Sequence, residues 1–244
     1  MAHRARTNTT RTRAKTAIAL KTPLLVAIVG GSGAGKSWLA DQLKYRLGPL
    51  ATRLSLDDFY RDRSHLALVR RARINYDHPR AIDWASAERV LRDCFAGRVT
   101  RVPRYDFARH ARLPRERILR PKAIVLIDGL WWFRRPRLRR LFALMVFIDC
   151  SRRLRLSRRM ARDQHARGRD KASVHRQFCD TVEPMNRRFV APQARRAHVR
   201  LRAPVGELQV ARLEKRLRRL LQTAEIQDGT KSNASLRGFG ASRR

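Results

Sequence analysis

The apolar run LLVAIV at residues 24–29 leads directly into GGSGAGKS, Gly30 to Ser37, which in turn opens an amphipathic segment. No other feature constrains the fold as much. A short run that is apolar at every position reads as a strand buried on both faces. The glycine-rich turn satisfies G-x-x-x-x-G-K-[ST] between a strand and a helix, the context in which that pattern has a physical meaning. Glycines let the backbone turn tightly, so that N–H groups point at phosphate oxygens. The helix N-terminus adds positive potential. Gly30, Gly31, Ser32, Gly33, Ala34 and Gly35 therefore form a cradle for a nucleoside triphosphate. Lys36 is placed to reach the β- and γ-phosphates, and the Ser37 hydroxyl to ligate Mg²⁺. The loop alone leaves open whether ATP is hydrolysed to do work or gives up its γ-phosphoryl group.

The chain after the loop keeps alternating. TRLSL (52–56), AIVLID (123–128) and LMVFID (144–149) read as strands, and AHVRLR (197–202) as an edge strand. Helices are expected from Lys36 to Leu47 and from Asp83, a good N-cap, to Phe95, ended by Gly97. Others are expected from Ser151 to Arg167, stopped by Gly168, from Lys171 to Phe189, and from Gly206 to Thr223. The expected fold is α/β, a P-loop NTPase-type parallel sheet with helices on both faces and an arginine-rich helical lid. One domain, residues 23–223, accounts for most of the 244 residues. Before it, residues 1–22 carry no acidic residue and read as a disordered basic leader, with a mitochondrial-type presequence as the other reading. After it, residues 224–244 are polar and rich in Gly and Ser, and read as a flexible tail.

Charge is the unusual number: 57 basic residues against 20 acidic ones, a formal +37, with only eight of the 57 being lysine. A polyanionic partner is one explanation, since arginine neutralises phosphates and releases counterions. The arginines are spread over the whole chain rather than gathered in one patch, which favours a compositional cause over a nucleic-acid surface. Cys94, Cys150 and Cys179 form no C-x-x-C pair and no metal spacing with histidine, a set that suits a reducing cytoplasm. The longest apolar run, LFALMVFI at 141–148, is too short to cross a bilayer.

In a sheet of this kind ligands gather beyond the C-terminal ends of the strands. Two adjacent carboxylates, Asp57 and Asp58, stand at such an end, and one of them could orient an acceptor hydroxyl and take its proton. Asp128 ends the strand AIVLID, where a second carboxylate would help hold the metal and its water. NYDHPRAIDW (75–84) and RYDFARHAR (104–112) each place Tyr-Asp near a histidine in loops with turn chemistry. Rings there can stack on a flat base while Asp and His bond sugar hydroxyls or base edges. Arg155, Arg159 and Arg162 recur at i, i+4, i+7 and so share one helix face. Aimed at the phosphate loop, that face would neutralise the transferring phosphoryl group and close as a lid against water.

Taken together, GGSGAGKS, LSLDDFYRDRSHL, NYDHPRAID, PRYDFARHAR, VLIDGL, VFIDCSRRLRLSRRMARDQHARGR and VEPMNRRFV resemble the uridine kinases in order and spacing, over about residues 24–192. The resemblance implies transfer of the γ-phosphate of ATP, with Mg²⁺, to the 5′-hydroxyl of uridine or cytidine. It also implies a homo-oligomer. Asp57 matches the family's catalytic base, and Arg162 a lid arginine that contacts phosphates. Tyr60 matches the edge of the nucleoside pocket, and Tyr76 and Asp77 an aromatic–aspartate pair whose aspartate binds ribose hydroxyls. Tyr105, Phe107 and His110 match residues around the base, while Arg159, Arg169 and Gln177 match polar contacts to the nucleoside. The chain departs from the family in having Asp128 where glutamate is usual, and in DGLWWF. FVAPQARRAHVRLRAPVG also differs, which leaves the adenine-side contacts unassigned. Two rival readings stand beside this one. One is a kinase of the same fold for another small hydroxylated acceptor, pantothenate-like or ribulose-phosphate-like. The other is a P-loop ATPase that binds nucleic acid.

Overall fold

The structure, a computed structural model, describes residues 22–168 and 170–238. The basic leader expected over 1–22 lies outside these residues except for Thr22. Strand β1 (Leu24–Gly30) runs through the glycine loop into α1 (Lys36–Leu47) and on to β2 (Ala51–Ser55). A single 3₁₀ turn, Leu56–Phe59, leaves β2 and leads to the short α2 (Leu68–Ala72) and to α3 (Trp84–Phe95). Four short strands follow: β3 (Thr100–Val102), β4 (Tyr105–Asp106), β5 (Ala111–Arg112) and β6 (Arg117–Leu119). They pair antiparallel as β3 with β6 and, nested between them in sequence, β4 with β5. The chain then forms β7 (Ile124–Gly129), α4 (Pro136–Arg139) and β8 (Phe142–Asp149). Next come α5 (Arg152–Arg167), α6 (Lys171–Gln177) and α7 (Glu183–Met185). Finally, β9 (Val199–Arg202) and α8 (Glu207–Gly238) complete the described chain.

The main sheet has the order β2-β7-β1-β8-β9, and all its neighbours are parallel. β1 and β7 are apolar at nearly every position because both faces of each are covered. Successive side chains leave a strand on opposite sides, and this splits the interior in two. Leu25, Ala27 and Val29 pack with Val90 and Leu91 of α3 and with Trp131, Trp132 and Phe133. Val26 and Ile28 pack on the other face with Leu39 and Leu43 of α1 and Val210, Leu213 and Leu217 of α8. β9 is the expected edge strand, with Leu201 buried and Arg200 and Arg202 exposed. Register brings Ile28 beside Asp128 and Ser55 beside Asp128, so the phosphate loop, Asp57 and Asp128 leave the sheet at the C-terminal ends of its strands.

Three expectations are corrected. The helix expected from Lys171 to Phe189 changes its winding: π-wound stretches cover Phe178–Val182 and Asn186–Val190, with α7 between them. Pro184 has no N–H to donate, and its ring crowds the preceding turn, which a wider winding relieves. RYDFARHAR is a β4–β5 hairpin rather than a loop. The flexible tail expected from residue 224 is instead helix as far as Gly238. Ala224, Gln227 and Asp228 pack near Phe95 and Phe142, and adding turns to an established helix requires no new nucleation. Among the described residues, no helix is long and apolar enough to cross a membrane.

Candidate active site

The phosphate loop is held by close packing as much as by backbone freedom. Gly33 and Gly35 have φ of 81° and 96°, where a side chain is strained. Gly31 has no room for one either: a Cβ there would lie 2.6 Å from Asn186 Oδ1 and 2.8 Å from Arg155 Cδ. Lys36 Nζ donates to the Gly31 carbonyl at 3.0 Å, across the loop it serves. Burial lowers the Lys36 pKa, against the raising pull of Asp57 and Asp128. Ser37 Oγ donates to Asp128 Oδ2 at 2.9 Å, and Arg53 Nε donates to Asp128 Oδ1 at 3.0 Å. Arg53 is itself held by Asp41, 2.7 Å from its Nη1.

A hydroxyl and a buried carboxylate side by side at a phosphate loop fit Mg²⁺, which keeps waters and takes substrate phosphate oxygens instead of an all-protein cage. Among the described residues no three His, Cys, Asp or Glu gather around a common point. Ser37 and Asp128 are the residues that would hold the ion.

The 3₁₀ turn after β2 separates the two aspartates. Ser55 Oγ accepts from the Asp57 N–H at 3.3 Å and caps the turn. Asp57 then faces the cavity beside the phosphate loop, whereas Asp58 Oδ2 accepts from Arg117 Nη2 at 3.0 Å and faces β6. Burial pushes the Asp57 carboxyl up to about 6; Asp128 adds to this, and Lys36 and Arg162 hold it back. Asp77 lies in the same cavity and is likewise raised by burial, against Arg159, Arg162 and Lys36.

The aromatic side of the cavity is built by the β4–β5 hairpin against NYDHP. Asp106 Oδ1 accepts from the N–H groups of Ala108 and Arg109 at 2.8 and 3.0 Å, which tightens the hairpin tip. His110 has φ 49°, a left-handed conformation that few residues other than glycine adopt, and such strain concentrates at functional sites. Its ring stacks on Tyr76 with centroids 4.9 Å apart and planes 12° apart. Tyr60 touches Tyr76 edge-on at 5.5 Å and Tyr105 at 5.1 Å, and Tyr105 meets Phe107 at 5.4 Å. Burial, and then the neighbouring Tyr76, push the Tyr105 hydroxyl well up. The result is a box of flat rings with polar edges at one end of the cavity.

The α5 arginines divide their work. Arg159 Nη1 donates to Ser32 Oγ at 2.9 Å and Nη2 to Gln177 Oε1 at 3.0 Å, tying α5 and α6 to the phosphate loop. Arg162 reaches the cavity and donates to the buried Asp163 at 2.9 Å. Arg155, expected on the same working face, is instead buried beneath the loop, where it pairs with Glu183 and donates to the Cys150 carbonyl at 3.2 Å. The helix sits so close to the loop that its first turn is structural. Arg158 takes the place expected of Arg155: it lines the cavity and donates to the Ala34 carbonyl at 3.3 Å.

One cavity of about 300 Å³ is lined by Ser32, Gly33, Gly35, Lys36 and Ser37 together with Asp57, Tyr60, Tyr76 and Asp77. Tyr105, Phe107, His110, Arg159, Arg162 and Gln177 line it as well. Gly30, Gly31, Ala34 and Asp128 lie behind it in the loop and the strand end. Arg169 lies outside the described residues. Trp38, Leu130 and Arg158 also line the cavity without being marked by the sequence, and Arg53 stands unmarked behind Asp128. Trp38 and Leu130 directly follow Ser37 and the Asp128-Gly129 strand end, and adjacency is the only signal for either.

Comparison with known proteins points to one family and one fold. The profile of the Phosphoribulokinase / Uridine kinase family matches residues 25–208. A uridine kinase from Chloroflexus aggregans is 37% identical over 198 residues, covering 79% of this chain and 95% of that protein. One from Clostridium perfringens is 34% identical over 181 residues, 74% of this chain and 87% of its own length. Among solved structures, a putative fructose transport system kinase from Silicibacter sp. TM1040 superposes with a TM-score of 0.59 at 18% identity, covering 80% and 93% of the two chains. A phosphoribulokinase from Rhodobacter spheroides does so with a TM-score of 0.55 at 19% identity, covering 75% and 70%. At these identities the structural likeness speaks for the fold.

Proposed function

This chain belongs to the phosphoribulokinase/uridine kinase family, and we propose that it transfers the γ-phosphoryl group of ATP to the 5′-hydroxyl of uridine. One observation carries the reading: a single cavity joins the phosphate loop, a buried aspartate and a box of flat rings with polar edges. The curated uridine kinases that the chain resembles over most of its length support the same acceptor.

In this reading Asp57 orients the acceptor hydroxyl and takes its proton as the bond to phosphorus forms. A carboxyl pushed up to about 6 is still ionised near neutrality and is a stronger base than an ordinary aspartate. Lys36 and the loop N–H groups hold the β- and γ-phosphates. Mg²⁺, held by Ser37 and Asp128, would supply charge neutralisation on the phosphate oxygens. Arg159 and Arg162 steady the transferring group and, with Arg158, close the cavity to water that would otherwise compete as acceptor. Tyr76, Tyr105, Phe107 and His110 receive the base by stacking and edge hydrogen bonds, and Asp77 takes the ribose hydroxyls. Cytidine, which has the same ribose and a ring of the same size, is the expected second acceptor. A cytoplasmic homo-oligomer belongs to the same reading.

The test is ATP turnover with uridine, cytidine, pantothenate, ribulose 5-phosphate or RNA added singly. Uridine should yield its monophosphate. Turnover that no nucleoside stimulates, with pantothenate or the sugar phosphate active instead, would overturn the acceptor but leave the kinase fold reading intact. Stimulation by RNA alone would point to the nucleic-acid ATPase.

A further inference from the structure

Three segments divide their residues between the active site and a second, larger concavity of about 1000 Å³. Tyr60, Asp77 and Leu130 line the first; Arg61, His78 and Arg134 line the second. Six arginines surround the second cleft: Arg61, Arg63, Arg80, Arg134, Arg135 and Arg188. No carboxylate is among the described residues that line it, and none of the six forms an ion pair with a carboxylate among the described residues. Some exposed arginines elsewhere have a local carboxylate, as Arg92 has Glu88 and Arg98 has Asp93. What sets this cleft apart is six arginines around one concavity, three of them stacked on rings.

Three of these guanidinium groups are also fixed in orientation. Arg135 lies over the Trp84 ring at 4.6 Å, and Arg134 and Arg188 lie over the Phe189 ring at 4.7 and 5.1 Å. Trp84 is anchored by its Nε1–H on the Pro79 carbonyl at 2.9 Å, and His78 packs edge-on against Phe189 at 4.9 Å. A guanidinium stacked on a ring has its face satisfied and its in-plane N–H groups left over, the arrangement that recognises phosphate oxygens. A solvated basic face would need neither the rings nor the concavity. His78 registers the resulting field: burial lowers its pKa, and so do Arg80, Arg188 and Arg134.

We propose that this cleft is a second binding site for an oligophosphate anion, two or more linked phosphate groups either free or carried on a nucleotide. The site does not depend on the identity of the acceptor in the kinase reaction. A single phosphate would meet only part of the arginine set, whereas a chain of phosphates can span it.

The experiment is calorimetric titration of the full chain with tripolyphosphate, ATP and inorganic phosphate at one fixed salt concentration. Three proteins are compared: wild type, Lys36→Ala, and the double variant Arg135→Gln/Arg188→Gln. Wild type should bind tripolyphosphate at more than one site per chain. Lys36→Ala should keep the cleft class. The double variant should lose that class by about tenfold or more while its KM for ATP in phosphoryl transfer stays within about twofold. Equal affinity of tripolyphosphate and ATP for Lys36→Ala assigns the site to the phosphate chain alone; tighter ATP assigns it to a nucleotide. Two results would overturn the proposal: identical titrations of wild type and double variant, or inorganic phosphate binding as tightly as tripolyphosphate.

Discussion

Asp57 is where sequence, burial and chemistry meet in one side chain. Replacing it by asparagine keeps the shape and removes the proton acceptor of the proposed mechanism. Asp57→Asn should lower kcat by about 10²–10⁴-fold while uridine affinity stays within about threefold, read by steady-state kinetics and equilibrium binding. Asp58→Asn should change kcat by less than about threefold, because that carboxylate serves Arg117. The raised pKa gives the pH dependence a definite sign. With a folded value of about 6, Asp57 takes up a proton as pH falls through 6, so kcat/KM of the wild type should drop below that point. Stability runs the other way. The folded state binds more protons than the unfolded chain between the ordinary 3.8 and about 6, so this group's contribution weakens as pH rises through that window. Asp57→Asn should therefore be more stable than wild type at pH 7, by on the order of 1–3 kcal/mol, and should melt at a higher temperature. A lower melting temperature would mean that Lys36 depends on the charge more than burial penalises it. That one of the two aspartates would enter the cleft is legible at a strand end next to a phosphate loop, whereas the choice of Asp57 over Asp58 comes from the resemblance to the uridine kinases. Arg53 is not legible, since one arginine within TRLSL carries no mark of the strand face it occupies or of the Asp128 it meets.

Whole helices meet the phosphate loop through a buried charge pair. Arg155 on α5 and Glu183 on α7 are both nearly inaccessible, and the Arg155 guanidinium lies 5.5 Å from the Phe178 ring centroid while its side chain crowds Gly31. Removing one partner strands the other charge in a low-dielectric setting. Glu183→Ala should destabilise by about 3–5 kcal/mol in a denaturant titration, and Arg155→Met/Glu183→Met should recover most of that. Recovery without restored activity would show that the pair also sets the shape of the loop. Failure to recover would mean that the hydrogen bond from Arg155 to the Cys150 carbonyl is the larger part. The sequence groups Arg155 with Arg159 and Arg162 because helical spacing gives a face but not the depth at which each turn of α5 sits. Depth depends on how far the helix overlaps the loop, a tertiary quantity. The parallel strands, by contrast, are legible as continuous apolar runs, since a strand covered on both faces has no polar side to interrupt it. The β4–β5 hairpin is hidden for the opposite reason. Two residues a side are too few to show a period, and the pairing is fixed by Asp106 and by the left-handed His110.

At the scale of the molecule the governing quantity is a formal +37 on 244 residues. Two electrostatic effects compete when salt is added. Screening weakens the exposed pairs, such as Arg92 with Glu88 and Arg218 with Glu214, each worth about 0–1 kcal/mol at best. It also weakens the mutual repulsion of the surplus arginines, which grows with the square of the net charge. With 57 basic residues against 20 acidic ones, most arginines have no acid to pair with, and repulsion outweighs the local attraction. Raising sodium chloride from about 10 mM to about 150 mM shortens the screening length from about 30 Å to about 8 Å, comparable to the spacing of neighbouring surface charges. The melting temperature at pH 7 should therefore rise by a few degrees over that range, as followed by circular dichroism. The same screening should favour assembly of copies, each of which repels the next, so a homo-oligomer should sediment as larger particles at the higher salt. A melting temperature that falls over the same range would show that the local pairs, few as they are, outweigh the repulsion. In that case like charges on the surface would already lie far enough apart to be harmless.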